Sequence, residues 1–120
     1  MGETELIEAA ARIGVHVVFL PIPIAGAYIE QLHLIIVDST LTPAWQRFTL
    51  AHEYVHALRG HDGPQSPGIE ARVDQEAARM LVSATEYALA ERIVGSHPAA
   101  IAEELGVPED CVQAWQAARA

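Results

Sequence analysis

Apolar side chains in residues 3–13 (ETELIEAAARI) fall at Leu6, Ile7, Ala10 and Ile13, the spacing of one helix face, and Gly14 ends the run. The pattern then changes. VHVVFL (15–20), GAYIE (26–30) and LIIV (34–37) are short runs rich in β-branched residues, and Pro21 and Pro23 close the first. They predict three short strands in a small, mainly antiparallel meander. Helical spacing returns at Pro43, with Thr42 placed to cap. Trp45, Phe48, Ala51, Val55 and Leu58 mark the apolar face of this helix, and Gly60 stops it. HDGPQSPG (61–68) has no apolar period and predicts a loop. Further helices are expected from Ile69 through Val73, Ala77, Met80 and Leu81, over 85–94 up to Gly95, and as a closing pair split at Gly106–Val107. A helix, a small sheet and then a run of helices is an α+β arrangement that is mostly helical.

Size and charge narrow the picture. The chain has 120 residues, 51% of them hydrophobic, which suits one domain with one core. The single cysteine, Cys111, permits no internal disulfide and fits a reducing, cytoplasmic setting. The N-terminal residues lack the basic and long apolar regions of a secretory signal, and no apolar run approaches the ~20 residues of a membrane span. Seven basic residues against sixteen acidic ones give a net charge of -9. Such a chain gains nothing from counterion release, so no direct nucleic-acid partner is expected. The closing helix pair has a helix–turn–helix look, but Glu109 and Asp110 stand where a DNA-reading helix carries basic residues.

The chemistry sits in the helix after Pro43. His52 and His56 are one turn apart, so their imidazoles share a face and can converge on one ion. Glu53 lies about 100° further round the helix, within reach of a water on the ion's open side. This is the H-E-x-x-H pattern, in which a metal polarises water and a carboxylate takes its proton. A catalytic zinc ion needs a third ligand. Glu70 and Asp74, again four apart, offer one carboxylate for the metal and one to orient a ligand histidine. Asp74 as the ligand is the alternative, and His61, just past Gly60, is a rival. Glu76, His16, His33 and His97 are expected to lie elsewhere.

RFTLAHEYVH (47–56), the preceding LIIVDS (34–39) and the following EARVDQEAARMLV (70–82) together resemble the ImmA/IrrE family of zinc metallopeptidases. On that resemblance Glu70 falls on the third zinc ligand, Asp74 on an Asn/Asp position, and Ala77 and Ala78 on a pair of small residues. Glu76 and Ser83 depart from the Phe and Pro common there, and the gap from His56 to Glu70 is short. The likeness runs from Leu6 to Ser83, which divides the chain into a zincin-like core (1–83) and a C-terminal helical extension (84–120).

The resemblance implies a zinc-dependent endopeptidase in which His52, His56 and Glu70 hold Zn2+ and Glu53 is the general base. It implies one specific protein substrate, a helix-turn-helix transcriptional repressor of a phage or mobile element. The alternative is a non-catalytic, zinc-containing interaction or sensor module. For the oxyanion, Tyr54 is poorly directed, which leaves Tyr28 and Tyr87 as candidates.

Overall fold

A computed structural model describes residues 1–119. The elements follow in the order α1 (Glu3–Arg12), β1 (His16–Leu20), β2 (Gly26–Ile29), a 3-10 turn (Glu30–Leu32), β3 (Leu34–Asp38), α2 (Pro43–Arg59), α3 (Pro67–Leu81), α4 (Ala84–Val94), α5 (Pro98–Leu105) and α6 (Glu109–Arg119).

Local chemistry sets the boundaries of the two central helices. The Thr42 hydroxyl accepts from the Trp45 amide at 3.4 Å, and Pro43 sits where a missing N–H costs nothing. Gly60 ends α2 in the left-handed region at φ 65°, which a side chain resists. At α3 the helix starts two residues before the apolar pattern does. The Ser66 hydroxyl accepts from Ile69 and Pro67 takes the first helical position, so capping chemistry begins the helix ahead of its first apolar residue.

The sheet is mixed, with strand order β1-β3-β2, where a mainly antiparallel meander was expected. β1 runs parallel to β3, from His16 beside Leu34 to Leu20 beside Asp38, and β2 runs antiparallel to β3. A meander would pair β1 with β2. Instead the apolar β3, with Ile35 and Val37 fully buried, takes the middle, where both edges are paired. Among the described residues β2 is left with one edge unpaired.

α2 is the hub of the fold. The sheet, α1 and α3 all pack on it. Its buried arc is therefore wider than one stripe: Phe48, Leu50, Ala51 and Val55 are covered, and so are Thr49, Glu53 and His56. Leu58, expected on the apolar face, is 43% exposed. α6 packs on α3. Trp115 stacks on Tyr87 with ring centroids 3.9 Å apart, and its indole N–H donates to the Val82 carbonyl at 3.0 Å. Arg47 of α2 donates to the Gly106 carbonyl at 2.9 Å, joining the hub to the end of α5. Cys111 is buried in this region, and burial pushes its thiol up to about 12, which makes it a packing residue. Among the described residues no helix is long and apolar enough to cross a membrane.

Candidate metal centre

His52 and His56 lie one turn apart in the middle of α2, and their Nε2 atoms stand 3.1 Å from each other. α3 folds back beside α2 and brings Glu70 to the same point. Its Oε1 lies 2.9 Å from His56 Nε2 and 3.1 Å from His52 Nε2. Asp74, one turn further along α3, meets the opposite ring nitrogen of His52, with Oδ1 2.7 Å from Nδ1. An ionised carboxylate only accepts, so the His52 ring proton belongs on Nδ1 and its Nε2 lone pair faces His56 and Glu70.

Three donor atoms thus crowd one point. A single proton on His56 Nε2 satisfies only part of that crowding, whereas a cation satisfies all three atoms together. The spacings also suit an ion. Zinc bonds of about 2.0–2.1 Å in a tetrahedron place neighbouring ligand atoms about 3.3 Å apart, close to the 2.9–3.1 Å found here. His52, His56 and Glu70 therefore form a candidate site for a divalent metal.

Electrostatics mark the same place. Burial pushes the Glu53 carboxyl up from 4.5 to about 7; His52 and the Tyr28 amide oppose the rise, while the charges of Glu70 and Asp74 add to it. Burial also works on His52, pulling it down, but the hydrogen bond to Asp74 and the charges of Glu53, Asp74 and Glu70 outweigh it and hold the ring above its ordinary value. At His56 burial prevails, with His52 adding to it, and the ring is held below its ordinary value despite Glu70.

β2 closes over Glu53 through a residue the sequence reading left unremarked. A Cβ on Gly26 would stand 2.7 Å from Thr49 Cγ2 and 2.9 Å from the Ile36 carbonyl oxygen, with Glu53 Cγ at 3.4 Å. Only glycine lets the strand lie this close to α2. The sequence signal was a glycine opening an otherwise apolar strand. Two hollows flank the site and share Gly26, His52 and Glu53. One, of about 320 Å³, includes Tyr28, His56, His61 and Glu70. The other, of about 220 Å³, is walled by Trp45 and Phe48.

The remaining candidates lie apart from the donor point. His61 Nδ1 is 2.9 Å from His56 Nδ1, on the side of that ring turned away from Glu70, so it is out of place as a third donor. Glu76 pairs with Arg59 at 2.7 Å. His97 caps α5, accepting from the Ala99 amide; His33 closes the 3-10 turn in the left-handed region; His16 is exposed. Tyr87 is buried in the stack on Trp115, Tyr54 packs against the core, and Tyr28 lines the larger hollow.

Residues 10–114 match the family model described as IrrE N-terminal-like domain. The chain is also similar to the radiation response metalloprotease IrrE of Deinococcus deserti, with 46% identity over 46 residues, 38% of this chain. That match spans 16% of the relative's own length.

Proposed function

Because the chain belongs to the ImmA/IrrE family of zinc metallopeptidases, we propose that it is a zinc-dependent endopeptidase that cleaves one specific protein in the cytoplasm. The observation that carries this reading is the convergence of two imidazole nitrogens and a carboxylate oxygen beside a buried second carboxylate. His52, His56 and Glu70 would hold the zinc, a two-histidine, one-glutamate set that suits a catalytic ion. Asp74 fixes the His52 tautomer and orients the ring. When bound, zinc supplies Lewis acidity to water and to the scissile carbonyl.

Glu53 is the general base. Its carboxylate takes a proton from the attacking water and then gives it to the departing amine, a task suited to a group poised near neutrality. The edge of β2 turned from β3 meets Glu53 at the Tyr28 amide, and the remaining backbone groups of that edge would offer hydrogen bonds to an extended peptide, with the two hollows receiving side chains. Tyr28 lines the larger hollow, and burial together with a hydrogen bond to Glu30 holds its phenol above the ordinary value; to donate to the developing oxyanion its hydroxyl would turn from Glu30.

The substrate we infer, from the family resemblance of the 47–56 and 70–82 motifs, is a helix-turn-helix repressor of a phage or mobile element. Incubating the zinc-loaded chain with the repressor encoded beside it tests this directly. Wild type is expected to produce a single cut, and Glu53→Gln to retain zinc while losing cleavage by at least about 10²-fold. An uncut repressor, or equal cleavage by both proteins, would contradict the reading; the former result favours a metal-holding interaction module.

A further inference from the structure

The loop joining α2 to α3 contributes none of the three converging donors, yet it holds two of them. His61 Nδ1 lies 2.9 Å from His56 Nδ1. The Gln65 amide donates to Glu70 Oε2 at 3.3 Å, on the oxygen that does not face the histidines. The loop is itself braced. The Gln65 side chain donates to the carbonyls of Gly63 at 3.1 Å and Asp62 at 3.4 Å, and the His61 amide donates to the His56 carbonyl at 3.0 Å.

We propose that this loop is a positioning clamp for the metal centre: His61 accepts the Nδ1 proton of His56 and so aims the His56 Nε2 lone pair at the ion, while the Gln65 amide turns Glu70 so that Oε1 alone faces it. The proposal rests on the metal reading above and goes beyond it, assigning ligand orientation to residues that do not ligate.

The two histidine ligands are supported unequally, and this gives His61 its importance. Asp74 can only accept, so it fixes the His52 tautomer outright. An imidazole can accept or donate. At 2.9 Å one proton lies between the two Nδ1 atoms. If His61 supplied it, a neutral His56 would carry its own proton on Nε2, where it blocks a metal. If His56 supplies it, Nε2 is free. Only the second arrangement is compatible with a bound ion, and it requires an acceptor at position 61. His61 is thus a positioning residue acting through His56.

The test compares zinc affinity in the wild-type chain, His61→Leu and His61→Gln, by competition with a chromophoric chelator. Leucine removes the acceptor; the glutamine carbonyl replaces it. His61→Leu is expected to weaken zinc binding about 10- to 100-fold, and His61→Gln to recover most of the loss. Cobalt-loaded His61→Leu should keep the visible band positions of cobalt-loaded wild type, because the ligand set is unchanged. Zinc-loaded wild type should also show, by 15N NMR, a proton on His56 Nδ1 with scalar coupling to His61 Nδ1. Unchanged affinity in His61→Leu, an equal loss in both variants, or cobalt bands that shift as for a lost ligand would each overturn the clamp. If His61→Leu fails to fold, the NMR measurement decides alone, and a His56 Nδ1 without a proton overturns the proposal. Wild type that binds no zinc would overturn the metal reading itself, whereas wild type that binds zinc beside an unaffected His61→Leu overturns only the clamp.

Discussion

At Glu53 the proposed catalytic role and the demands of folding conflict. The side chain is 7% exposed, and its carboxyl rises from 4.5 to about 7 because burial disfavours the charge. A carboxyl whose pKa rises on folding binds its proton more tightly in the native state. The resulting penalty is absent below pH 4.5, grows between 4.5 and about 7, and is complete above that. Glutamine carries no such charge. In the metal-free protein, Glu53→Gln is therefore expected to be more stable than wild type above pH 7, by up to about 3 kcal/mol, with the advantage vanishing toward pH 4.5. Urea denaturation across this range measures it, and a constant difference at all pH values would contradict the assignment. His52, Glu53 and His56 are legible in the sequence because one helical turn fixes their relation. Glu70 and Asp74 are legible only as a pair on one face, since their approach to His52 depends on how a loop without periodicity brings α3 back. His61 shows why spacing alone misleads: it is near His56 along the chain, but it meets the ring nitrogen on the wrong side for a shared ion.

Among the elements, the helices are readable to within a residue or two because their ends carry local chemistry, as at Thr42 and Gly60, while the Ser66 cap, inside a stretch that reads as loop, starts α3 two residues early. The sheet is less so. Three short apolar runs state that strands exist, but their pairing depends on which strand is buried on both edges, and that is settled by packing against α2. Gly26 carries the same lesson in one residue. Its identity matters because β2 crosses α2 at contact distance, a relation between elements far apart in sequence. Gly26→Ala is expected to cost about 1–3 kcal/mol, as overpacking does, and to lift β2 away from Glu53. A lowered melting temperature together with reduced kcat checks this; a variant equal to wild type in both would show that the strand has room to spare.

Taken as a whole, the molecule holds its site between two helices joined by a loop, α2 with the histidines and α3 with the carboxylates. A metal bound across that seam stabilises the native chain, because the unfolded chain has no such site. With ligand near 1,000 times the dissociation constant, the gain is about 4 kcal/mol, so removing metal with a chelator should lower the melting temperature by roughly 10–20 °C, and adding zinc should restore it. A melting curve indifferent to chelator would mean that the seam holds no ion. The most direct test is the zinc content of wild type purified without chelator, set beside that of Glu70→Ala. About one zinc per chain in wild type, falling well below that in the variant after the same dialysis, is the expected result. Wild type free of zinc, or a variant that retains it fully, would contradict a centre built from His52, His56 and Glu70.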